Sequence, residues 1–365
     1  MVFIYKLSLI KPLSSLNKTI TDFDILREKQ SIKGNEIEEI YKDNKKKAET
    51  ISMTLDSLHT AKKNIQKLLN LNIMSNGWLK MFEIMHIIRA NYGGLFTKTT
   101  IKSFHICELP GAFIMACEYY LKAFHNIKLD WKAQSLNPNK FSEAFDDKYK
   151  IYENNKEKYY FGKNDTGDII DLSNDYINFG KFDFITSDCG QKCENECMNE
   201  QDIFEMKLQY HQMIVALHCL NEKGCYIFKF RMIYTKIAIY MIYKLYGYFY
   251  DIIIFKPYTS RPKNSEYYIL CLGRNKTNID IIQYDDINGY DISNIPQQFI
   301  DIMFMLSEAM TNYKIYYMDK YINFYRSNIK GKEYISDKKQ LNFFIKNYLS
   351  MKQPEYNYNE FIDNY

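Results

Sequence analysis

Apolar and polar positions follow two rhythms along this chain, and the change from one to the other divides it. From Asn35 to Asn72 the apolar residues Ile51, Leu55, Leu58, Ile65 and Leu69 fall on one helical face, with Lys45, Lys46, Lys47, Lys62 and Lys63 on the others. A further helix is predicted over Gly77 to Arg89, GWLKMFEIMHIIR, ahead of the Gly93-Gly94 break. Short apolar runs then take over and predict strands at 104–108, 127–131, 168–171, 182–187, 224–230, 250–255 and 266–272. Helical patterns lie between several of them, at 112–124, 199–221 and 232–247. Strands that alternate with helices predict an α/β fold, with a mostly parallel seven-stranded sheet covered on both faces. Only KPYTSRPKNS separates the last two strands, too little for a crossover helix, so these two are predicted to pair antiparallel. Beyond Gly273 the pattern returns to helix, with Pro296 in a first turn and Phe299, Ile302, Met303, Leu306 and Met310 at helical spacing, and an aromatic helical tail runs on to Tyr365. The boundaries predict a helical N-terminal extension over 1–75, an α/β domain over 76–273 and a helical C-terminal extension over 274–365.

Within this pattern the stretch FHICELPGAF, 104–113, is the sharpest junction of strand, tight turn and helix. Gly111 lets the backbone approach a ligand closely, and Glu108 at the strand's end can accept hydrogen bonds from hydroxyl or amino groups, which is the geometry of a nucleotide-type site. A single turn of this kind also suits an ordinary α/β core.

Composition changes the picture only at the margins. The 365 residues suffice for a sizeable core, and 46% hydrophobic residues mark a globular chain. A net charge of +4 permits an anionic partner held through a local patch without requiring one. The 33 tyrosines accompany a sequence crowded with Asn, Ile and Lys, so their number does not argue for base stacking. Several of the eight cysteines sit in apolar runs, where reduced thiols act as small hydrophobes; with no leader pattern and no membrane-length apolar stretch, a reducing cytoplasmic setting away from membranes is expected. Cys189, Cys193 and Cys197 are spaced four apart, unlike paired zinc knuckles, and have no evident fourth ligand, so no metal is expected.

Four charged residues stand out against the predicted sheet. Lys80 lies on the helix before the first strand, Asp188 closes FDFITSD, Lys229 closes GCYIFKF and Glu266 opens EYYILCL. The carboxyl ends of parallel strands, and the beginning of an antiparallel one beside them, share the edge that faces the ligand crevice. Read one at a time, each is equally a snorkelling lysine or a surface carboxylate.

Their order, set around ELPGAF, resembles the Lys-Asp-Lys-Glu tetrad of the FtsJ-like RNA ribose 2′-O-methyltransferases. The likeness is to the cap methyltransferase branch of large cytoplasmic DNA viruses, African swine fever virus among them, and of adrift-type eukaryotic enzymes. It is carried by WLKMFE around Lys80, CELPGAF, DWKAQSLNP at 130–138, GDI at 167–169, SDCG at 187–190, IFKF at 227–230 and SRPKNSEYYIL at 260–270. Ala112, where the family has a second glycine, and Cys189 after the motif aspartate depart from it. The resemblance implies a Rossmann-like fold and transfer of a methyl group from S-adenosylmethionine to a ribose 2′-hydroxyl, converting cap-0 to cap-1 on capped RNA, with other capping or transcription subunits as potential partners. Lys229 would be the general base, with Lys80 beside it as a second cation favouring its neutral form; Lys80 and Glu266 would orient it, and Asp188 would sit between base and sulfonium. The turn Leu109, Pro110, Gly111, Ala112, Phe113 would take the methionine end, Glu108 would hydrogen-bond nearby, Asp130 would hold the cofactor's ribose and Asp168 would meet the adenine amino group. Lys256, Arg261 and Lys263 surround the loop before Glu266 and are candidates for RNA phosphates, with Tyr258 and Tyr267 at hand for stacking. Two rival functions fit the same residues: ribose methylation of ribosomal or transfer RNA, and a non-catalytic RNA-binding subunit that keeps the fold.

Overall fold

Alternating side-chain directions in the strands build two cores, one on each face of a single sheet. The computed structural model describes residues 3–10, 15–54, 61–71, 74–141, 144, 146–172, 175, 179–190, 201–282, 284 and 292–327. Its strands are β1 (Phe3–Lys6), β2 (Thr100–Ile106), β3 (Lys128–Gln134), β4 (Tyr159–Tyr160), β5 (Phe182–Ser187), β6 (Leu220–Phe230), β7 (Phe249–Lys256) and β8 (Tyr267–Arg274). Its helices are α1 (Ile20–Asp43), α2 (Lys45–Thr54), α3 (Ala61–Leu68), α4 (Asn76–Asn91), α5 (Ala112–His125), α6 (Ile151–Asn154), α7 (Ile169–Leu172), α8 (Gln201–Cys219), α9 (Lys236–Tyr248) and α10 (Gln297–Arg326).

The strands lie in the order β1-β7-β8-β6-β5-β2-β3-β4. β2 through β6 are mutually parallel, while β8 runs antiparallel between β6 and β7. The α/β architecture and the antiparallel pairing of the last two strands agree with the sequence pattern. Three details differ. Residues 168–171 are not a strand: Gly167 carries a positive φ of 70°, and the Asp168 side chain accepts from Ile170 N at 2.9 Å, which starts the turn of helix α7 instead. The short β4 takes the edge position beside β3. An eighth strand, β1, pairs antiparallel with β7 and closes the other edge. The tail beyond residue 327 lies outside the described residues.

On β6 and β8, Tyr226, Phe228, Phe230, Tyr267 and Ile269 point into one core with α8, α9 and α10, while Cys225, Ile227, Tyr268 and Leu270 point into the other, under α4 and α5. Helix α4 is sunk in that second core: Trp78, Leu79, Met81, Phe82, Ile84 and Met85 are all buried, and Ser75 caps its start by accepting from Trp78 N at 3.0 Å. A smaller cluster of Ile37, Ile40, Ile51, Met318 and Tyr321 joins α1, α2 and α10.

Candidate active site

The site forms where β2, β5 and β6 end. After β2 the chain turns through Cys107 to Pro110, and Gly111 enters α5 with φ of 97°; a Cβ there would also come within 2.8 Å of Ile151, so the position needs glycine twice over. Ala112 is the first residue of the helix and has no positive φ, so the methyl it carries sits on ordinary backbone. Glu108 is buried, and its Oε1 accepts from Phe113 N at 2.7 Å and Ile114 N at 3.2 Å, tying the end of β2 to the first turn of α5. Burial pushes the Glu108 carboxyl well above its ordinary value against the pull of those two amides.

Lys80, Asp188, Lys229 and Glu266 converge. Lys80 Nζ meets Glu266 Oε1 at 2.6 Å, and Lys229 Nζ meets Asp188 Oδ1 at 3.4 Å and the Asp188 carbonyl at 2.9 Å. Each lysine thus has its own carboxylate. Burial pulls the Lys80 ammonium down, but Glu266 and then Asp188 outweigh it and hold it above its ordinary value. At Glu266 burial pulls upward, and Lys80, Lys229 and the hydroxyl of Ser260 overcome it, leaving the carboxyl far below the usual range. Asp188, Lys229, Glu108, Leu109, Pro110, Ala112 and Phe113 line one cavity of about 750 Å³.

Other sequence-predicted positions fall elsewhere. Asp130 is exposed in the middle of β3, four residues short of its carboxyl end, and does not line the cavity; the residue at that strand end is Gln134, whose Oε1 accepts from Cys107 N at 3.1 Å. Asp168 sits at the carboxyl edge next to Gly167, whose carbonyl is held by Gln134, but it too is outside the cavity lining. Lys256 is 2% exposed, so it is no surface contact for phosphate: its ammonium donates to the carbonyls of Asn264 at 2.7 Å and Glu266 at 3.0 Å, and burial lowers its pKa to about 7. Tyr267 is fully buried and cannot stack on a base. Lys263 lies against the rings of Tyr321 at 4.0 Å and Tyr41 at 5.2 Å; Arg261 alone of the three cations is exposed.

The cysteines depart from the fully reduced expectation. Cys107 and Cys189 are joined in a disulfide, with Cα atoms 5.0 Å apart, across the ends of β2 and β5, while Cys117, Cys219, Cys225 and Cys271 are free and buried. Cys193 and Cys197 lie outside the described residues. Among the described residues no cluster of ligating side chains is suited to a metal, and no helix is long and apolar enough to cross a membrane.

A family model described as FtsJ-like methyltransferase matches residues 73–274, more than half of the chain. The chain belongs to the FtsJ-like methyltransferase family. It is 33% identical to an uncharacterised protein of Acanthamoeba polyphaga mimivirus over 60% of this chain and 28% of that one. It is 30% identical to cap-specific mRNA (nucleoside-2′-O-)-methyltransferase 2 of Drosophila melanogaster over 56% of this chain and 30% of the fly protein. A probable methyltransferase of African swine fever virus is 28% identical over 63% of this chain and 56% of its own length. The chain therefore spans between about a quarter and somewhat over half of the relatives it matches.

Around the tetrad of this FtsJ-like methyltransferase the structure adds partners that sequence reasoning missed. The buried Tyr268 donates its hydroxyl to Asp188 Oδ1 at 2.9 Å, and it stands opposite Lys229 in the β6–β8 register. Ser260 Oγ donates to Glu266 Oε1 at 2.8 Å. Glu83, one turn after Lys80, accepts from Tyr258 N and Thr259 N, each at 2.8 Å, and so pins the loop that carries Ser260; burial, opposed by those bonds, pushes its carboxyl up to about 7. The spacing from Lys80 to Glu83 was the one readable signal, since residues three apart share a helix face.

Proposed function

We propose that the chain is an S-adenosylmethionine-dependent RNA ribose 2′-O-methyltransferase that acts on the capped 5′ end of mRNA, converting cap-0 to cap-1. The observation that carries the reading is the meeting of two lysines and two carboxylates beside the turn that opens α5. The cavity has the size of a cofactor site, and its acid at Asp188 and its glycine turn suit a donor with a positive centre and an amino-acid tail. When bound, S-adenosylmethionine supplies an electrophilic methyl group. Leu109 to Phe113 would hold its amino-acid end, and Asp188 would favour the positive sulfur. Asp168, at the same strand edge, is retained as an adenine contact.

In this reading Lys229 Nζ would accept the proton of the ribose 2′-hydroxyl, and the methyl group that the bound donor would supply would pass to that oxygen with its bond to sulfur broken and S-adenosylhomocysteine released. Asp188 fixes the direction of the Lys229 amine through its carbonyl, and Tyr268 fixes Asp188. Lys80 and Glu266 form a charged pair that sets the field at the amine without competing for the proton. Arg261, exposed on the β7–β8 loop, would meet RNA phosphates. The cap-specific name of the fly relative supports capped mRNA over other RNAs as substrate.

The test is transfer of labelled methyl to matched short RNAs with and without a cap, followed by digestion to locate the label, with Lys229→Ala as control. Label at the 2′-oxygen of the first transcribed nucleotide of capped RNA, lost by a factor on the order of 10² or more in the variant, is expected. Equal label on uncapped RNA would point to ribosomal or transfer RNA instead, and no label on any RNA would leave a binding subunit.

A further inference from the structure

Arg231 stands two residues beyond Lys229, just past the end of β6, and lines the same cavity as Lys229, Asp188 and Gly190. Its Nε donates to Glu205 Oε2 at 2.8 Å and its Nη2 to Glu205 Oε1 at 2.9 Å. Glu205, on α8, has no exposure, and the arginine side chain keeps 11%. Burial alone would lower the guanidinium's pKa, but Glu205 raises it further, so the charge is permanent. The pair adjoins the candidate base: a Cβ on Gly190 would come 2.8 Å from Lys229 Nζ and 3.3 Å from Glu205 Oε1.

A guanidinium offers five N–H donors in a planar fork, enough for two acceptors on two edges. Glu205 occupies the Nε–Nη2 edge, and among the described residues no acceptor is hydrogen-bonded to Nη1. One edge of a cation, locked in orientation from behind, is therefore left for a ligand in the cavity. The acceptor that matches two parallel N–H groups is a carboxylate or a phosphate.

We propose that Arg231, positioned by Glu205, binds the phosphodiester on the 3′ side of the nucleotide whose 2′-oxygen faces Lys229, and so sets the register of the RNA strand. This rests on the reading of the chain as an RNA ribose methyltransferase. Phosphate is favoured over the cofactor's carboxylate because Arg231 follows the strand that carries the base, whereas the turn expected to hold the amino-acid end follows β2.

The experiment measures binding of short capped RNA to the 365-residue chain in the presence of S-adenosylhomocysteine. Unmodified RNA is compared with RNA carrying one neutral methylphosphonate at that 3′ linkage. Wild-type protein is expected to bind the methylphosphonate RNA about tenfold more weakly. Arg231→Lys, which keeps a cation beside Glu205 but loses the fork, should bind unmodified RNA about tenfold more weakly and be indifferent to the methylphosphonate. Removing the contact altogether with Arg231→Gln should reduce the slope of log affinity against log salt by about 0.7, the value for one phosphate on a single strand. Wild-type protein that methylates RNA yet binds both RNAs equally overturns this assignment alone. A variant that loses affinity for S-adenosylhomocysteine instead of RNA overturns it in favour of the cofactor carboxylate. Wild-type protein that neither binds nor methylates RNA overturns the parent reading as well. The wild-type arm needs no substitution, so a poorly folded variant does not blunt the test.

Discussion

At the scale of single residues, Tyr268 decides how firmly the candidate base is held. Its hydroxyl has no exposure and donates to the same Asp188 oxygen that faces Lys229, so the acid is directed from one side by a phenol and from the other by an ammonium. Replacing it by Phe keeps the ring and removes one hydrogen bond to a charged group, worth on the order of 1.5–3 kcal/mol. Tyr268→Phe is expected to lower kcat about tenfold with cofactor affinity unchanged, measured by single-turnover methyl transfer and cofactor titration. An unaltered kcat would mean that the Asp188 carbonyl alone orients the Lys229 amine. The four charged residues were legible because charge at a strand end is unusual and their order matched a known pattern. Tyr268 and Ser260 were not, because their partners follow from cross-strand register and loop shape, which spacing along the chain does not encode. Asp130 was misplaced for a related reason: the predicted strand 127–131 ends one residue after it, while the observed strand runs on to Gln134, four residues beyond it.

At the scale of elements, β2 is held in place by polar groups as well as packing. His105, near the carboxyl end of β2, shares hydrogen bonds with Ser103 at 2.9 Å and Thr186 at 2.7 Å and is wholly buried. Burial lowers its pKa to about 3, far under the ordinary 6.5. Below pH 6.5 the unfolded chain takes up a proton that the folded one refuses, so this residue's share of stability is present above pH 6.5 and is lost as pH falls toward 3. The loss should amount to about 2 kcal/mol between pH 7.5 and pH 5. Urea unfolding of wild type and His105→Gln across that range checks it: the wild-type stability should fall more steeply, and parallel pH curves would refute the assignment. Most elements were legible, since β2, β3 and β5 to β8 coincide with short apolar runs, and α4, α5, α8, α9 and α10 with helical patterns. The error at 168–171 came from an apolar run too short to tell strand from helix, where a side-chain cap tipped the balance.

At the scale of the whole molecule, the family match and the folded unit do not share boundaries. Residues 73–274 carry the tetrad, but β1 closes the sheet edge along β7, and Tyr5, Phe23, Met303, Phe304 and Met310 belong to the larger core. Cutting the chain to 73–274 would strip that face of its cover and leave β7 with an open edge. The segment alone is expected to bind a hydrophobic dye and to unfold without a sharp transition; cooperative melting within a few degrees of the longer chain would show that the additions are dispensable. The N-terminal strand was illegible because an edge strand of four residues leaves too brief a pattern to read.

Helix α4 has a consequence for how this site can change over generations. Lys80 and Glu83 leave it one turn apart and reach opposite ends of the same connection, Glu83 at Tyr258 and Thr259 and Lys80 at Glu266, while Lys256 grips that connection from within. A substitution on the helix must therefore be answered on the connection and the reverse, so these positions are constrained to drift together, and descendants should exchange them as matched sets or not at all.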